Sequence, residues 1–310
     1  MKKGIVLVIL MMLLGVLIVS CKGKKDEPPG SVIAPKELTK MDYPEVPAPA
    51  ASPVFRWDFS EKHNYIYDFK LEMASKMVMD SMPTRKDKPN PLESISAGGL
   101  LLIKSNGDGT ADMVLKDLKM TTNMDTGEKK PPEKMDMIAS PMVIQGMKED
   151  GSGVQWDSSQ KMLLQLLFPL PTKELKKGES VEVPVTMPFN AMGSPLKVTG
   201  YSRITLTRYV KIGGQICAQL DVVTDISKLN VPSEIEGTYE TYLKGPAVFY
   251  FDVKKRCFIR GAVSMVIHMK VDAPMPKVSV PGSKPEDMPK RMTTEMDISE
   301  LINVTLQEEK

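Results

Sequence analysis

Cysteine and histidine are scarce in this 310-residue chain, with three Cys and two His. His63 and His268 lie far apart and neither is flanked by a nucleophile motif. Gly-x-Ser-x-Gly, a phosphate-cradling Gly-rich loop and His-Glu-x-x-His are all missing, so the chemistries those motifs carry have no footing. Carboxylates are plentiful, but no spacing marks an acid/base pair. No catalytic residue is assigned, no cofactor is expected, and the chain is read as a non-enzyme. Asn106-Gly107-Asp108-Gly109 lacks the further acidic ligands and closing Glu of a calcium loop, so no metal ligand is assigned either. Excess charge is also lacking, at 41 Lys+Arg against 39 Asp+Glu. Such a balance argues against nucleic acid as a partner, because that binding relies on surplus cations.

One long apolar run is present, from Gly4 to Val19, behind Lys2 and Lys3 and ahead of Ser20-Cys21. At about 16 residues it falls short of the roughly 20 needed to span a bilayer as a helix. A basic start, a short apolar run and a small residue before the cut are the parts of a secretory signal. Ile18-Val19-Ser20-Cys21 resembles the lipobox of bacterial lipoproteins. The resemblance implies a signal peptide over 1–20 and an acylated, palmitate-type Cys21 as the mature N-terminus. It also implies a membrane anchor. Each buried methylene of the acyl chains adds about 0.8 kcal/mol, so several chains hold firmly. Lys22, where an Asp would favour inner-membrane retention, implies the outer membrane, facing the periplasm or the cell surface. Losing Lys2 and Lys3 would reduce the 41 cations to 39, equal to the 39 anions.

Residues 21–53 are charged and then rich in Pro and Ala, as in Pro44-Glu45-Val46-Pro47-Ala48-Pro49. Such a composition predicts a disordered tether, since it buries little apolar surface against the entropy of ordering. The body, 54–310, alternates apolar and polar residues. Tyr65, Tyr67, Phe69, Leu71 and Met73 fall on one face, and Val181–Met187, Ile204–Tyr209 and Val263–Val271 behave alike. Period two predicts strands with one face on a core. Gly-rich turns at 106–109, 149–153 and 213–214 predict antiparallel hairpins. One helix is expected over Asp157–Phe168, with Met162, Leu163, Leu166 and Leu167 on a face and Phe168-Pro169-Leu170-Pro171 ending it. It divides lobe 54–171, with about five strands, from lobe 172–310, with six or seven. Segments 81–92, 121–134 and 273–291 are rich in Pro, Lys and acids and read as long loops.

Cys217 and Cys257 both fall in predicted strands. Export to an oxidising compartment permits a disulfide if their Cα atoms approach within about 7 Å, and two buried thiols are the alternative. The 24 methionines cluster at 73/77/79/82, 113/120/124, 135/137/142/147 and 288/292/296. Thioethers suit Cu(I), which raises periplasmic copper binding as one reading; adaptable core filling and a pliable binding surface are the others.

Phe55-Arg56-Trp57-Asp58-Phe59 through Met73, and the junction Phe168-Pro169-Leu170-Pro171 to Lys177-Gly178-Glu179-Ser180, resemble an uncharacterised bacterial lipoprotein family with no assigned activity. Many long antiparallel strands around one helix are also similar to the half-barrels of lipoprotein carriers, which implies a groove for lipid. The expected fold is mainly β: a large curved antiparallel sheet, half-barrel or barrel-like, with about one short helix. The expected function is an envelope binding module for an apolar ligand such as lipid, with Leu163, Leu167, Phe249 and Phe251 as lining. A structural protein with a filled core and a copper binder are the alternatives.

Overall fold

The computed structural model describes residues 36–38, 41–79, 92–125, 133–153, 155–191, 194–274 and 291–309. The alternating runs form β2 (Asn64–Met79), β3 (Leu92–Ser105), β4 (Thr110–Asp125), β5 (Glu133–Ile138) and β6 (Met142–Lys148) ahead of helix α1 (Ser158–Leu167). After it come β7 (Ser180–Ala191), β8 (Ser194–Ile212), β9 (Gln215–Asn230), β10 (Thr238–Asp252), β11 (Cys257–Pro274) and β12 (Arg291–Glu309). A two-residue β1 (Glu45–Val46) precedes them. All pairings are antiparallel, in the order β1-β8-β9-β10-β11-β12-β2-β3-β4-β5, with β7 also on β8 and β6 also on β4. Because β12 pairs with β2, both halves of the body belong to one sheet. Its two ends do not meet, so the sheet curls without closing into a barrel.

Curling strands of up to 19 residues requires places where one backbone can approach another. A Cβ on Gly200 would lie 2.0 Å from the Asp225 carbonyl oxygen, and one on Gly245 would lie 1.9 Å from that of Ser264. Gly200 sits at a register shift between β8 and β9. Only a residue without Cβ permits this approach.

The inner face holds one continuous core contributed by strands from β2 to β12 together with α1. Its centre is filled from outside the sheet. Phe55, Trp57 and Phe59 alternate inward at 5%, 0% and 0% exposure. The Trp57 ring lies 5.3–5.7 Å from those of Phe59, Tyr65, Phe168 and Phe258. Arg256, at the β10–β11 turn with φ of 53°, fastens this plug. Its guanidinium donates to the carbonyls of Arg56 (3.2 Å) and Trp57 (2.8 Å) and approaches the Glu149 carboxylate at 3.4 Å. The Trp57 backbone N–H donates to the Glu149 carbonyl at 2.8 Å.

The disordered tether expected over 21–53 is corrected for its second half. Residues 36–38 and 41–53 are described, and several dock on the sheet. Val46 and Glu45 pair with Tyr209 and Val210 of β8, and the Pro44 carbonyl accepts from Lys211 N–H at 3.0 Å. Tyr43 meets Tyr250 edge-on at 5.1 Å. Leu38 and Tyr43 pack on an outer-face cluster of Val210, Cys217, Val248, Tyr250 and Ala262. Ser264 donates to the Lys36 carbonyl, and Lys36 pairs with Glu72 at 2.8 Å. Composition missed this because a few apolar residues suffice when the sheet itself leaves apolar area on its outer face. Cys21 lies outside the described residues.

Two expected loops shrink as well. β4 continues through Thr121–Asp125 and β5 begins at Glu133, with Thr121 Oγ1 donating to Asp136 at 2.7 Å. Pro274 pairs with Arg291, leaving 275–290 outside the described residues, as is 80–91. β-branched Thr keeps pairing where charge density suggested a loop.

The Cys217–Cys257 disulfide is also corrected: both are buried free thiols. Asp252 of β10 pairs with Cys217 on one side and Cys257 on the other. Two inter-strand spacings, about 9–10 Å, then separate the Cα atoms, beyond disulfide reach. Burial, reinforced by the Asp252 carboxylate, pushes the Cys217 thiol up to about 12 and raises Cys257 as well. Both should therefore resist a thiol reagent at pH 8 in the folded protein. Both should react in urea without prior reduction; a requirement for reductant would contradict the register.

One carboxyl interrupts the inner core. Glu300 is 3% exposed, and its Oε1 is without a hydrogen-bond partner. In register it sits between Met265 of β11 and Met73 of β2, and Met296 sits likewise between Met269 and Met77. Desolvation pushes the Glu300 carboxyl well above its ordinary value of 4.5. The folded state then binds a proton that the unfolded chain has released, so this group lowers stability as pH rises above about 4.5. Glu300→Met should raise stability at pH 7 by about 1–3 kcal/mol. Urea denaturation should show that gain fade toward pH 4, as the unfolded carboxyl also becomes protonated.

Candidate ligand-binding cleft

α1 is set by its ends. Asp157 Oδ1 accepts from Gln160 N–H at 2.9 Å while Gln160 Oε1 accepts from Asp157 N–H at 3.1 Å, a reciprocal cap that satisfies otherwise orphaned donors. The helix ends where Phe168 N–H donates to the Leu164 carbonyl just before Pro169. Met162, Leu163, Leu164 and Leu167 are buried. Leu164, rather than the expected Leu166, belongs to the fully buried set, and Leu166 is partly buried. The opposite side of the helix faces an open cleft.

This cleft encloses about 720 Å³ between α1, β7, β8, the 150–153 turn and the chain at Phe55–Arg56. Its apolar surface comes from Phe55, Met162, Phe168, Leu170 and Val183, and hydroxyls come from Ser158, Thr186 and Thr199. Three exposed cations, Arg56, Lys161 and Lys197, line it with one acid, Asp150. Partial burial opposes ionisation of Asp150, yet the Ser152 hydrogen bonds, with Arg56 and Lys148, hold its carboxyl below the ordinary range. That carboxylate is engaged within its own turn, accepting from Ser152 N–H at 2.9 Å. The cleft therefore carries a positive balance over an apolar floor. Trp156 supports the turn, donating its indole N–H to the Gln145 carbonyl at 2.7 Å and lying where any Cβ on Gly153 would sit.

The four lining residues expected from the sequence are elsewhere. Leu163 and Leu167 turn into the core at 3% exposure each, and Phe249 and Phe251 are at 0%. Phe251 packs 5.2 Å from Phe258 and 5.6 Å from Phe55, and Phe249 lies 5.7 Å from Phe258. The plug occupies the space these side chains were expected to offer a ligand. The cleft residues come from five separated stretches of chain, and no motif marks them. The sequence signals that pointed nearby were the capped helix and the alternating Phe55-Trp57-Phe59. The described cleft residues include no His or Cys; the polar side chains they offer are hydroxyls, the Gln165 amide, three cations and one carboxylate.

Methionine placement also differs from the sequence clusters. Met113, Met120, Met142 and Met147 are buried core residues, while Met135 and Met137 are exposed on β5. The inner-face Met73, Met77, Met265, Met269 and Met296 come from three strands and form two register rows, which spacing along the chain could not show. Met82 and Met288 lie outside the described residues.

No protein-family model matches the chain, and neither does any curated protein. Among solved structures, the enduracididine biosynthesis enzyme MppR, complexed with the condensation product of pyruvate and imidazole 4-carboxaldehyde, is 9% identical. That match covers 84% of this chain and 97% of the enzyme, with a TM-score of 0.16. The Salmonella SPI-1 type III secretion injectisome secretin InvG is 10% identical, over 79% of this chain and 64% of the secretin, also with a TM-score of 0.16. Neither likeness is close enough to carry a fold or a function.

Proposed function

We propose that this chain is a bacterial lipoprotein, anchored through acyl chains on Cys21, whose body is a non-enzymatic binding module for an amphiphilic ligand with an anionic head. The observation that carries the ligand class is the α1–β7 cleft, where an apolar floor meets a rim of Arg56, Lys161 and Lys197. Mixed apolar walls with a few placed polar groups are what small-molecule sites present. The burial of Leu163, Leu167, Phe249 and Phe251 in the packed core favours this cleft over the inner face of the sheet as the place of binding. The signal-like run before Ser20-Cys21 supports the anchor, and Lys22 supports the outer membrane as its location.

The two parts have separate tests. Cells supplied with labelled palmitate should label the parent chain and not Cys21→Ser. A photoreactive fatty acid added to the membrane-derived full chain should label peptides of 158–171 and 183–199 saturably. Lys161→Glu with Lys197→Glu should weaken that labelling on the order of tenfold, equivalent to about 1.4 kcal/mol. Labelling that is non-saturable, or indifferent to both substitutions, would remove the cleft as the site.

A further inference from the structure

We infer a divalent-cation site on the outer face of the sheet, built from His268 of β11 with Asp297 and Glu295 of β12. Its class is a borderline first-row ion, of which Zn²⁺ is the probe. The argument starts from register. His268 lies directly opposite Asp297, and opposed residues of an antiparallel pair share a face. Glu295, two residues before Asp297, falls on that face by the two-residue period of a strand. The neighbouring Met296 and Ile298 point into the core instead.

The donor atoms are already gathered. His268 Nδ1 is 2.8 Å from Asp297 Oδ1, and one ligand atom from each of the three residues lies within 4.8 Å of the others. Two donors bound at about 2.0–2.2 Å to a tetrahedral ion stand roughly 3.3 Å apart. The His–Asp pair must open by about half an ångström, and Glu295 must close by up to about 1.5 Å. Glu295 has that freedom, since its side chain is 35% exposed and its contact with Lys270 is as long as 3.6 Å. His268 and Asp297 are each 8% exposed and sit in a long uninterrupted pairing of β11 with β12, so their positions are fixed. Tyr242, opposite His268 on β10, stacks on the imidazole at 5.2 Å and 23° and fixes its plane.

Donor chemistry selects the ion. One imidazole and two carboxylates suit zinc-like ions, whereas Cu(I) asks for thioether or thiolate ligands, which this set does not include. Three protein donors leave a further position for water. Lysines compensate the two carboxylates in the metal-free state. Lys270 pairs with Glu295, and Lys76 of β2 lies opposite Asp297. Lys270 is thus the cation's competitor, and removing it should tighten binding. The site is independent of the ligand cleft and of the anchor.

The test is a calorimetric titration of Zn²⁺ into the metal-stripped full chain in detergent, paralleled by Co²⁺ absorption. One equivalent should bind, and Co²⁺ should give visible bands of low-symmetry coordination. His268→Ala should abolish both signals, and Glu295→Gln should weaken binding on the order of 10–100-fold. Lys270→Met should strengthen it. Should His268→Ala fail to fold, Glu295→Gln decides, because its side chain is partly exposed. Absence of stoichiometric binding by the parent chain, or binding undiminished in Glu295→Gln, overturns the site. It would leave His268–Asp297 as a structural ion pair.

Discussion

An open curled sheet cannot bury its inner face by itself, and here the chain ahead of β2 adds Phe55, Trp57 and Phe59 to the centre of the core. Trp57 is the centre of that supply, touching rings from the preceding plug, from β2, from the end of α1 and from β11. Aromatic burial on this scale dominates core energetics, and edge-to-face contacts add to it. Arg256 and Glu149 then tie the plug's backbone to two turns, so the Arg56 and Trp57 carbonyls and the Trp57 backbone N–H are satisfied where it enters the core. Trp57 thus packs the centre of the described core, α1 is backed by Phe168, and the cleft lies outside α1.

That constraint links fold to function. A half-barrel with an empty interior would bind ligand along its whole inner face. This one offers a cleft whose one wall is the solvent side of its only described helix. The same N-terminal stretch crosses both faces of the sheet, with Leu38 and Tyr43 on the outside and Phe55 to Phe59 inside. The chain is thus fastened to the body at Lys36 and Leu38 and from Tyr43 onward.

Local pattern made much of the fold legible. Alternation such as Tyr65-Tyr67-Phe69 located strands, Gly-rich turns located hairpins, and Asp157 with Pro169 bracketed the helix. What pattern cannot carry is register between strands distant in sequence. The Cys217–Cys257 pairing failed because β10 intervenes, a fact fixed by strand order and invisible in spacing. His268 read as an ordinary sheet residue for the same reason. Asp297 is its neighbour only because β11 and β12 pair across a segment of Pro-rich residues. The plug was legible in part, since Phe55-Trp57-Phe59 alternates like a strand, but a Pro-rich context led the preceding residues to be assigned to a tether.

The central claim, that the plug fills the half-barrel and holds it together, is tested most directly by urea denaturation of the Trp57→Ala chain. A fully buried Trp truncated in a packed core predicts a loss of about 3–5 kcal/mol, with a new apolar void that an uncharged hydrophobic dye or xenon can enter. A loss below about 1 kcal/mol, with no new site for such a probe, would contradict the account.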